Sequence, residues 1–448
     1  MARAKKGTAL TPEERLQAAL VPDWEWPYKL PENWCWTRHN SIMDIVGGAQ
    51  PEKAFFIREP KEGYVQLYQT RDYGENPVPV YIPQKYATKT TDEGDILLAR
   101  YGGSLGKVFR AHKGAYNVAL AKVIILYPEV VDDEFLYLYY YSHFYQDFCI
   151  KAGYGRSAQA GFNKSDLNEL LFPLPPFIEQ RRIVDRIESL FAKLDEAKEK
   201  AQAVVDSFET RKAAILHKAF TGELTKKWRK SANTRWVYKK IKDCCKLGSG
   251  GTPSRKVPDF YKGDIPWIKT GEIEWNDIYD TEEKITQSAI DNSSARCYKP
   301  GVVLVAMYGM GVTRGKASIL RVQAATNQAV CVLEPQSALL YNRYLLYYFM
   351  RNYWDIREKA VGGNQLNLSL TIIKELNIEI PPIDEQVEIV QILDDLFAKE
   401  QQTKEAAEAA LDQIDLMKKS ILARAFRGEL GTNDPSEESA VKLLKQII

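Results

Sequence analysis

Two stretches of nearly the same sequence decide the architecture of this chain: PPFIEQRRIVDRIESLFAKLD at Pro175–Asp195 and PPIDEQVEIVQILDDLFAKEQ at Pro381–Gln401. The match continues without a gap to AFTGEL, which begins at Ala219, and AFRGEL, which begins at Ala425. A register kept over roughly 50 residues marks an internal repeat whose element tolerates no insertion. Helices packed along their length behave in this way, whereas loops vary in length.

Apolar residues within both copies recur at alternating steps of four and three, the heptad pattern of a long helix packed against a partner helix. Glu400 and Thr403 weaken this pattern in the second copy. Prolines at the entry and Gly222 and Gly428 at the exit bound two helices of about 40 residues, or about 60 Å each. Since each stripe needs a partner, we expect an antiparallel coiled coil. The predicted seam comprises Ile183, Ile187, Leu190, Leu194, Val204, Phe208, Ile389, Leu393, Leu396, Ile414, Met417 and Ile421.

The repeat extends upstream of the helices in a looser form. GDILLARYGGSLGK at Gly94 resembles GVVLVAMYGMGVTRGK at Gly301, and YLYYYSHFYQ at Tyr137 resembles YLLYYFMRNYW at Tyr344. Short β-rich runs between turn residues indicate that each helix follows a globular unit of mixed α/β type. The tyrosines recur at helical spacing, which predicts a core stripe rather than a base-stacking platform. The two units share a plan while most of their residues differ.

Composition limits the functions that are open to the chain. Its 448 residues carry a net charge of only +2, so any contact with nucleic acid must come from local patches. The N-terminal sequence has no signal-peptide pattern, and no stretch approaches the ~18 continuous apolar residues of a membrane span, so we expect a cytoplasmic protein. The six cysteines form no CxxC pair and the four histidines do not cluster near them, so no zinc site is predicted.

Catalytic motifs are scarce in this sequence. GMGVTRGKAS lacks the spacing of a P-loop, and no Asp/Asn-Pro-Pro-aromatic stretch supports amino-group methylation. Pro258-Asp259 followed by Glu282-Glu283-Lys284 fits a loose nuclease pattern in which carboxylates hold a divalent metal beside a lysine. Such a pattern is expected by accident in a chain that is 27% charged, and the first unit has no equivalent. A stand-alone nuclease therefore stays an alternative.

Glycine-rich turns that carry basic or polar residues recur at matching places in both units, and they favour DNA binding. Glycine lets a backbone approach a phosphate, and arginine, lysine, asparagine and glutamine bind base edges. The candidates in the first unit are Gln69, Arg71, Arg100, Tyr101, Lys107, Arg110, Arg156 and Gln159. Those in the second are Thr252, Ser254, Arg255, Lys269, Thr270, Tyr308, Arg314, Lys316, Asn364 and Gln365. Each of them is also compatible with an ordinary solvated loop.

A basic segment, KKWRKSANTRWVYKKIK at Lys226–Lys242, joins the first helix to the second unit. It carries eight basic residues and no acidic residue, with three aromatic residues among them. Such a segment suits either a solvated linker or a surface that follows phosphates.

With the duplicated PPxxEQ, the LFAK helix and the GEL exit in view, the chain resembles the specificity subunit of type I restriction-modification systems over nearly its whole length. The GGTP, PWIKTG and NQ segments of the second unit are also similar to that family, whereas the first unit has VGGAQP and YQTRD instead. The resemblance implies an α+β fold. Two α/β target recognition domains in a pseudo-twofold arrangement would be separated by two long spacer helices that form an antiparallel coiled coil.

The resemblance also implies domain limits. They are an N-terminal segment 1–30, recognition domain 31–174, spacer helix 175–225, basic linker and recognition domain 226–380, spacer helix 381–430 and a helical tail 431–448. The tail, ESAVKLLKQII, is similar to the short helix that closes the family's circular arrangement with the N-terminal residues.

By this resemblance the chain is a non-catalytic subunit without a cofactor of its own. Each domain would bind one half of a bipartite, gapped double-stranded DNA target. The helices would set the spacing and dock two methyltransferase subunits, which bring S-adenosylmethionine. Two motor-nuclease subunits, which use ATP and Mg²⁺, would complete the restricting complex. A coiled-coil scaffold that does not touch DNA is the second alternative.

Overall fold

The computed structural model describes residues 11–154, 161–232, 234–309, 311–361 and 367–447. The chain divides into two compact units. One comprises residues 1–201 and 409–448, and the other comprises residues 202–408. Each unit therefore contains a globular domain together with part of both repeated helical segments. Among the described residues, no helix is long and apolar enough to cross a membrane.

The first unit alternates short strands and helices before the first long helix begins. Its elements are α1 (Pro12–Ala19), β1 (Cys35–Arg38), α2 (His39–Ile42), β2 (Met43–Gly47), β3 (Tyr64–Tyr68), β4 (Tyr81–Pro83), β5 (Thr90–Thr91), β6 (Ile96–Ala99), β7 (Val108–Arg110), β8 (Gly114–Tyr116), β9 (Leu120–Ile125), α3 (Asp133–Tyr139), α4 (His143–Tyr154), β10 (Leu171–Leu174) and the start of α5 (Phe177–Asp206).

The second unit repeats this order. Its elements are α6 (Phe208–Phe220), α7 (Lys226–Ala232), β11 (Val237–Lys240), α8 (Ile241–Cys244), β12 (Cys245–Ser249), β13 (Ile265–Ile268), β14 (Asp277–Ile278), β15 (Lys284–Ile285), α9 (Gln287–Asp291), β16 (Cys297–Tyr298), β17 (Val303–Ala306), β18 (Ala317–Leu320), β19 (Ala324–Thr326), β20 (Val330–Pro335), α10 (Asn342–Arg351), α11 (Tyr353–Glu358), α12 (Leu370–Lys374), β21 (Asn377–Ile380) and most of α13 (Ile383–Ala425). The end of α13 and α14 (Ala440–Ile447) return to the first unit.

Sheet topology confirms that the two units share one plan. The order β2-β9-β6-β7 in the first unit matches β12-β20-β17-β18 in the second, which adds β14 at the edge. The order β4-β3-β8-β5 matches β15-β13-β19-β16, with the central pair parallel in both. A two-stranded sheet, β1-β10 or β11-β21, leads into each long helix. The fold is thus an α+β fold in which two repeated mixed domains alternate with long helices.

The tyrosine-rich helices lie in the cores of their units, as the spacing predicts. Tyr139 is fully buried, and Tyr348 is 3% exposed. The Tyr139 hydroxyl donates to the Leu171 carbonyl at 2.7 Å, and the Tyr348 hydroxyl donates to the Asn377 carbonyl at 2.7 Å. Since Leu171 and Asn377 begin the equivalent strands β10 and β21, Tyr139 corresponds to Tyr348. The gapped alignment that starts at Tyr137 and Tyr344 was therefore wrong by two residues, because the tyrosine repeats permit several registers.

The repeated Glu-Gln dipeptide attaches each long helix to its globular domain. Gln180 accepts a hydrogen bond from the Asp132 amide at 2.8 Å and donates to the carbonyls of Val130 and Pro175 at 2.7 and 3.0 Å. Gln386 makes the equivalent three bonds with Tyr341, Leu339 and Pro381 at 2.8, 2.9 and 2.8 Å. The glutamine side chains supply hydrogen-bond partners to main-chain groups at the start of the tyrosine-rich helix, α3 or α10, and at the entry to the long helix. Such groups lack partners within the helices themselves. The dipeptide is therefore a structural joint.

The glutamates of the same dipeptide are fully buried and bind a tryptophan in each unit. Glu179 accepts from the Trp34 indole at 2.7 Å and from Asn433 at 2.8 Å. Glu385 accepts from the Trp236 indole at 3.0 Å, and Thr225 and Arg229 complete its partners. Buried carboxylates require such donors, since an unpaired buried charge is costly.

The N-terminal and C-terminal ends of the described chain meet within the first unit, as the resemblance implies. The Ala440 amide donates to the Asn33 carbonyl at 2.9 Å, and α14 packs against α1. Glu437 binds the Arg182 guanidinium through both carboxylate oxygens, at 2.7 and 2.9 Å. The tail thus reaches the start of α5 as well as the N-terminal segment.

The long helices pair in an antiparallel sense within each unit. In the first unit Lys198 binds Asp415 at 3.0 Å, and Lys418 binds Asp195 at 2.5 Å. In the second unit Arg211 binds Glu400 at 2.7 Å, and the Lys404 ammonium lies 5.0 Å from the centre of the Phe208 ring. Residue numbers rise along one helix as they fall along its partner. The predicted antiparallel coiled coil is therefore present.

Most of the predicted seam is buried or half-buried, but two details differ. Met417 is 50% exposed, and Lys418 faces α5 instead, with its ammonium 4.9 Å from the centre of the Phe191 ring. An α-helix with 3.6 residues per turn drifts by ~20° per heptad from a strict seam, which moves the contact by one residue.

The first long helix is also interrupted at Ser207, between α5 and α6. The Ser207 hydroxyl donates to the Ala203 carbonyl at 2.5 Å and competes with the helical hydrogen-bond pattern.

Candidate nucleic-acid interface

Loops from separate strands converge at one edge of each domain. In the first unit the Gly48 amide donates to the Leu120 carbonyl at 2.9 Å, and the Asn117 amide donates to the Tyr68 carbonyl at 3.0 Å. In the second unit the Gly251 amide donates to the Thr326 carbonyl at 2.9 Å, and the Asn327 amide donates to the Ile268 carbonyl at 3.0 Å. The loops after β2, β3 and β8 therefore form one surface, and so do those after β12, β13 and β19.

The paired glycines of these loops allow the neighbouring loops to approach each other closely. A Cβ atom added at Gly48 would collide with the Asn117 carbonyl, and one added at Gly250 would collide with the Thr326 carbonyl. Glycine is thus required because the backbone approaches its own chain, whereas the sequence interpretation had it approach a phosphate. Asn117 and Asn327, which sequence reasoning missed, organise the same turn by accepting from the Ala119 and Ala329 amides at 3.2 and 3.0 Å.

The second unit brings two of its predicted cations together on one carboxylate. Arg255 binds Glu283 at 2.7 Å, and Lys269 binds the same carboxylate at 3.0 Å. The Arg255 guanidinium also lies 4.0 Å from the centre of the Tyr261 ring and 5.3 Å from that of Trp267. Burial raises the pKa of Glu283, but the hydrogen bonds from Lys269 and Arg255 outweigh it and hold the pKa below its usual value. The two cations are therefore held in place before any ligand arrives.

Other candidates of the second unit differ in accessibility. Thr252 donates its hydroxyl hydrogen to Gln328 on the adjoining loop, Ser254 is exposed, and Thr270 begins a short 3-10 turn (Thr270–Glu272). Tyr308 is 39% exposed. All four belong to the converging loops or to the strand end beside them.

Lys316 and Arg314 are held within the second unit. The Lys316 side chain is only 12% exposed and is bound to Glu274. The Arg314 carbonyl accepts from the Arg357 guanidinium at 2.5 Å, and burial, together with the charge of Arg357, lowers the pKa of Arg314. A ligand would therefore have to displace Glu274 to reach the Lys316 ammonium.

The first unit uses different residues at the matching positions. The Arg100 guanidinium donates to the Val118 carbonyl at 3.2 Å and lies 4.7 Å from the centre of the Tyr101 ring. The Tyr101 hydroxyl donates to Asn163 at 3.1 Å. Gln69 caps a 3-10 turn (Thr70–Tyr73): its main-chain N–H donates to the Asp72 carboxylate at 2.8 Å. The main-chain N–H of Lys269 donates to the Glu272 carboxylate in the same way, at 2.7 Å. These residues lie at the converging edge.

The three remaining basic candidates of the first unit have different surroundings. Arg71 is exposed, with Asp72 at 3.9 Å, and Lys107 is exposed at the start of β7. Arg110 binds both Asp133 and Glu134, the latter at 2.7 Å, and stacks on Tyr137 at 4.3 Å. The structure thus ties Arg110 to the N-terminus of α3. Arg156, Gln159, Asn364 and Gln365 lie outside the described residues.

A family model for the type I restriction modification DNA specificity domain matches residues 31–205 and again residues 233–411. These two matches cover more than half of the chain, and each spans one globular domain and most of the long helix that follows it. The chain belongs to the type I restriction modification DNA specificity family.

Individual members of this specificity family align with nearly the whole chain. The EcoKI specificity subunit of Escherichia coli K12 is 25% identical over 94% of this chain and 96% of its own length. The HsdS subunit of Thermoanaerobacter tengcongensis has the same fold, with a TM-score of 0.60 at 18% identity over 90% of this chain and 99% of that one. A chain from a structure of a type I R-M system has a TM-score of 0.64 at 19% identity, over 90% of this chain and 100% of that one.

In this member of the specificity family, the residues of the nuclease pattern belong to separate ion pairs. Asp259 binds Lys262 at 2.8 Å, Lys284 binds Asp280 at 3.1 Å, and Glu283 binds the two cations described above. Within the described ranges, no group of three or more His, Cys, Asp or Glu residues is placed to hold a metal ion.

Proposed function

We propose that this chain is the DNA specificity subunit of a type I restriction-modification complex, and that each domain binds one half of a bipartite, gapped DNA target. One observation carries the proposal: the two domains share their loop framework but present different side chains on it. Gln50 and Thr252 lie two residues after the matched Gly48 and Gly250. Gln69 and Lys269 cap matched turns. A common scaffold with exchanged surface residues is what two binders of unlike half-sites require.

The chemistry of the converging edge suits DNA. Arg255 and Lys269 supply positive charge beside the exposed hydroxyl of Ser254, and Arg100 does so in the first unit. Phosphate contacts position a protein on the duplex, whereas bidentate groups such as guanidinium distinguish bases in the major groove. Because Glu283 offsets part of the charge, this edge favours selective contacts over general attraction.

The helix pair gives the two half-sites a defined separation in this proposal. α13 has 43 residues and therefore measures about 65 Å along its axis. A packed pair of helices is stiff, whereas a flexible linker would permit many separations. Because the duplex repeats about every 10 base pairs, a stiff spacer selects both the distance and the face of the DNA.

The remaining components of the complex come from partners. Two methyltransferase subunits, which dock on the helices and bring S-adenosylmethionine, act on the DNA that this chain selects. Two motor-nuclease subunits, which use ATP and Mg²⁺, complete the restricting form. The chain itself contributes recognition without catalysis, and the complex acts in the cytoplasm of a prokaryote.

Footprinting tests the proposal directly. The chain is assembled with its methyltransferase subunits on a library of duplexes, and protected bases are mapped by cleavage. We expect two protected blocks separated by a gap of constant length. Exchange of residues 31–174 for the corresponding domain of a relative should change one block and leave the other unchanged.

Two outcomes would contradict the proposal. A complex that assembles without sequence-dependent protection would instead support a scaffold. Metal-dependent cleavage by the isolated chain that is lost in Asp259→Ala would support the stand-alone nuclease.

A further inference from the structure

The two-stranded sheets that lead into the long helices have the same register but different outer edges. Trp36 of β1 lies opposite Pro173, and Tyr238 of β11 lies opposite Glu379. The pairs are equivalent, since the residues after both strands repeat one hydrogen bond: the His39 amide donates to Leu170, and the Ile241 amide donates to Leu376, each at 2.9 Å. Trp36 is fully buried, whereas Tyr238 is 76% exposed.

In the first unit the chain covers the outer edge of β1 with its own N-terminal segment. The Val21 amide donates to the Trp36 carbonyl at 3.0 Å, and Leu20 forms an antiparallel bridge with Thr37. The following residues pack over the strand, because the Trp36 indole donates to the Tyr28 carbonyl at 3.2 Å. An acidic residue completes the cover: Glu25 binds Arg38 at 2.6 Å.

The second unit has no equivalent cover in the part of the chain that the structure describes. There β11 pairs with β21 alone, and Val237, next to Tyr238, is 47% exposed. Only a short linker, which includes α7, joins the exit of α6 to β11. An open strand edge with exposed apolar side chains is a template for a further strand.

The linker that leads into this strand is positively charged. Lys226, Lys227, Lys230 and Arg235 are exposed and have no ion-pair partner among the described residues, whereas Lys240 and Lys242 are bound by Glu375. The hydrogen bonds from Lys240 and Lys242 lower the pKa of Glu375 to about 2. The unpaired main-chain groups and exposed tyrosine of the edge, together with the free cations of the linker before it, are complementary to an acidic polypeptide in extended conformation.

We propose that the outer edge of β11 docks an extended, acidic segment of a partner polypeptide, which adds a strand beside Tyr238 as residues 19–21 do beside Trp36. The inference does not depend on which DNA the chain binds. Nucleic acid would use the cations but not the strand edge or the apolar face, so the geometry favours a polypeptide. The first unit supplies the precedent, since its covering segment also carries acidic residues, Asp23 and Glu25.

Peptide binding to the full chain tests the proposal. The probe is a labelled synthetic peptide with the chain's own covering sequence, LQAALVPDWE (residues 16–25), and its affinity is measured by fluorescence anisotropy. A control peptide carries an N-methyl group at the position of Val21, which removes the strand hydrogen bond and keeps the charge. We expect the control to bind about tenfold more weakly, as the loss of a hydrogen bond and a steric clash predict.

Variants of the chain locate the binding edge. Tyr238→Pro removes the outward main-chain N–H donor, because proline has none. We expect this variant to bind the probe peptide about tenfold or more weakly than the wild type. Pro173, at the position opposite Trp36, shows that this kind of sheet accommodates proline. Tyr238→Thr keeps the main-chain donor and should bind within about threefold of the wild type. Unfolding curves verify that both variants fold.

Each contrary result would overturn the inference. Equal binding of the parent and N-methylated peptides would show that charge alone attracts the probe. Loss of affinity for duplex DNA in Tyr238→Pro, with peptide binding unchanged, would assign the edge to nucleic acid. A dimer of the chain that Tyr238→Pro dissociates would make a second copy the occupant. No detectable binding of the parent peptide would leave the edge without its predicted ligand.

Discussion

Arg211 and Glu400 form a 2.7 Å ion pair between the long helices of the second unit. The positions that match them in the repeat hold Met417 and Leu194. Glu400 weakened the heptad pattern in the sequence, and the structure shows that it continues the helix pair by a polar contact. At the matching level of the first unit Leu194 is half-buried and Met417 is 50% exposed, and the neighbouring Lys418 contacts Asp195 and Phe191 of α5.

Single and double substitutions at this pair should differ in the size of their effect on stability. Glu400→Leu alone leaves a half-buried Arg211 unpaired and should lower the free energy of unfolding by about 1–3 kcal/mol. The double variant Arg211→Met with Glu400→Leu copies the first unit and should lie within about 1 kcal/mol of the wild type. Urea unfolding of the wild type, of Glu400→Leu, of Arg211→Met and of the double variant gives the coupling free energy. Additive losses in the double variant would show that the pair does not act as a unit.

Substitution of the buried glutamates at the starts of the long helices should reduce folding stability strongly. Glu385→Ala removes the acceptor of Trp236, Thr225 and Arg229, and should cost about 3–5 kcal/mol because it leaves a partly buried guanidinium without its carboxylate. Asp395→Ala, an exposed carboxylate on the same helix, is the matched control. Thermal unfolding measures both, and equal midpoints would contradict the role of Glu385 as a joint.

The first unit should lose stability in mild acid through His39. This residue is fully buried between Asn40 and Tyr140, and burial lowers its pKa from 6.5 to about 4. Below pH 6.5 the unfolded chain binds a proton that the folded chain does not bind, so the free energy of unfolding falls as the pH drops towards 4. The total loss is about 3 kcal/mol at ~1.4 kcal/mol per pH unit.

The second unit supplies the control for this titration. Ile241 holds the position equivalent to His39 and is also fully buried. We expect His39→Ile to flatten the dependence of stability on pH between 6.5 and 4, as measured by denaturant unfolding at several pH values. An unchanged slope would show that another group is responsible.

Arg255 and Lys269 should act on one half of the DNA target only. Each alanine substitution should weaken binding by about 1–3 kcal/mol if the side chain contacts a base, and a phosphate contact should also reduce the salt slope by about one. Lys246→Ala is the control, because Lys246 is exposed on β12 away from the converging loops. Binding is measured on duplexes that vary one half-site at a time. Equal losses on both half-sites would contradict an assignment to one domain.

The spacing of the target should follow the length of the helices. Four residues inserted near Ala201 lengthen α5 by about 6 Å, or nearly two base-pair steps of ~3.4 Å. The expected result is a changed gap between half-sites that are themselves unaltered, measured by sequencing the methylated sites of a host that carries the variant. New half-sites with the old gap would show that the helices do not determine the spacing.

The candidate edge was only partly predictable. Glycine pairs, Arg255 and Lys269 stood out because they recur or match known segments, whereas Asn327 carried no local signal and Glu283 stood out only as part of the nuclease pattern. Glu283 is separated from Arg255 by two strands, β13 and β14, and several turns, and their 2.7 Å contact exists only after the domain folds. The same holds for Lys316, whose side chain was predicted to be available but is bound to Glu274.

The sequence by itself determined that this protein is a duplicated molecule with two long helices, because repetition and heptad periodicity are written in the order of residues. Only the tertiary structure decided how the copies differ. It showed which polar residue completes the helix pair, which loop cations are already bound, and which strand edge is covered. Each of these depends on contacts between distant segments, and those contacts arise from packing rather than from any local pattern.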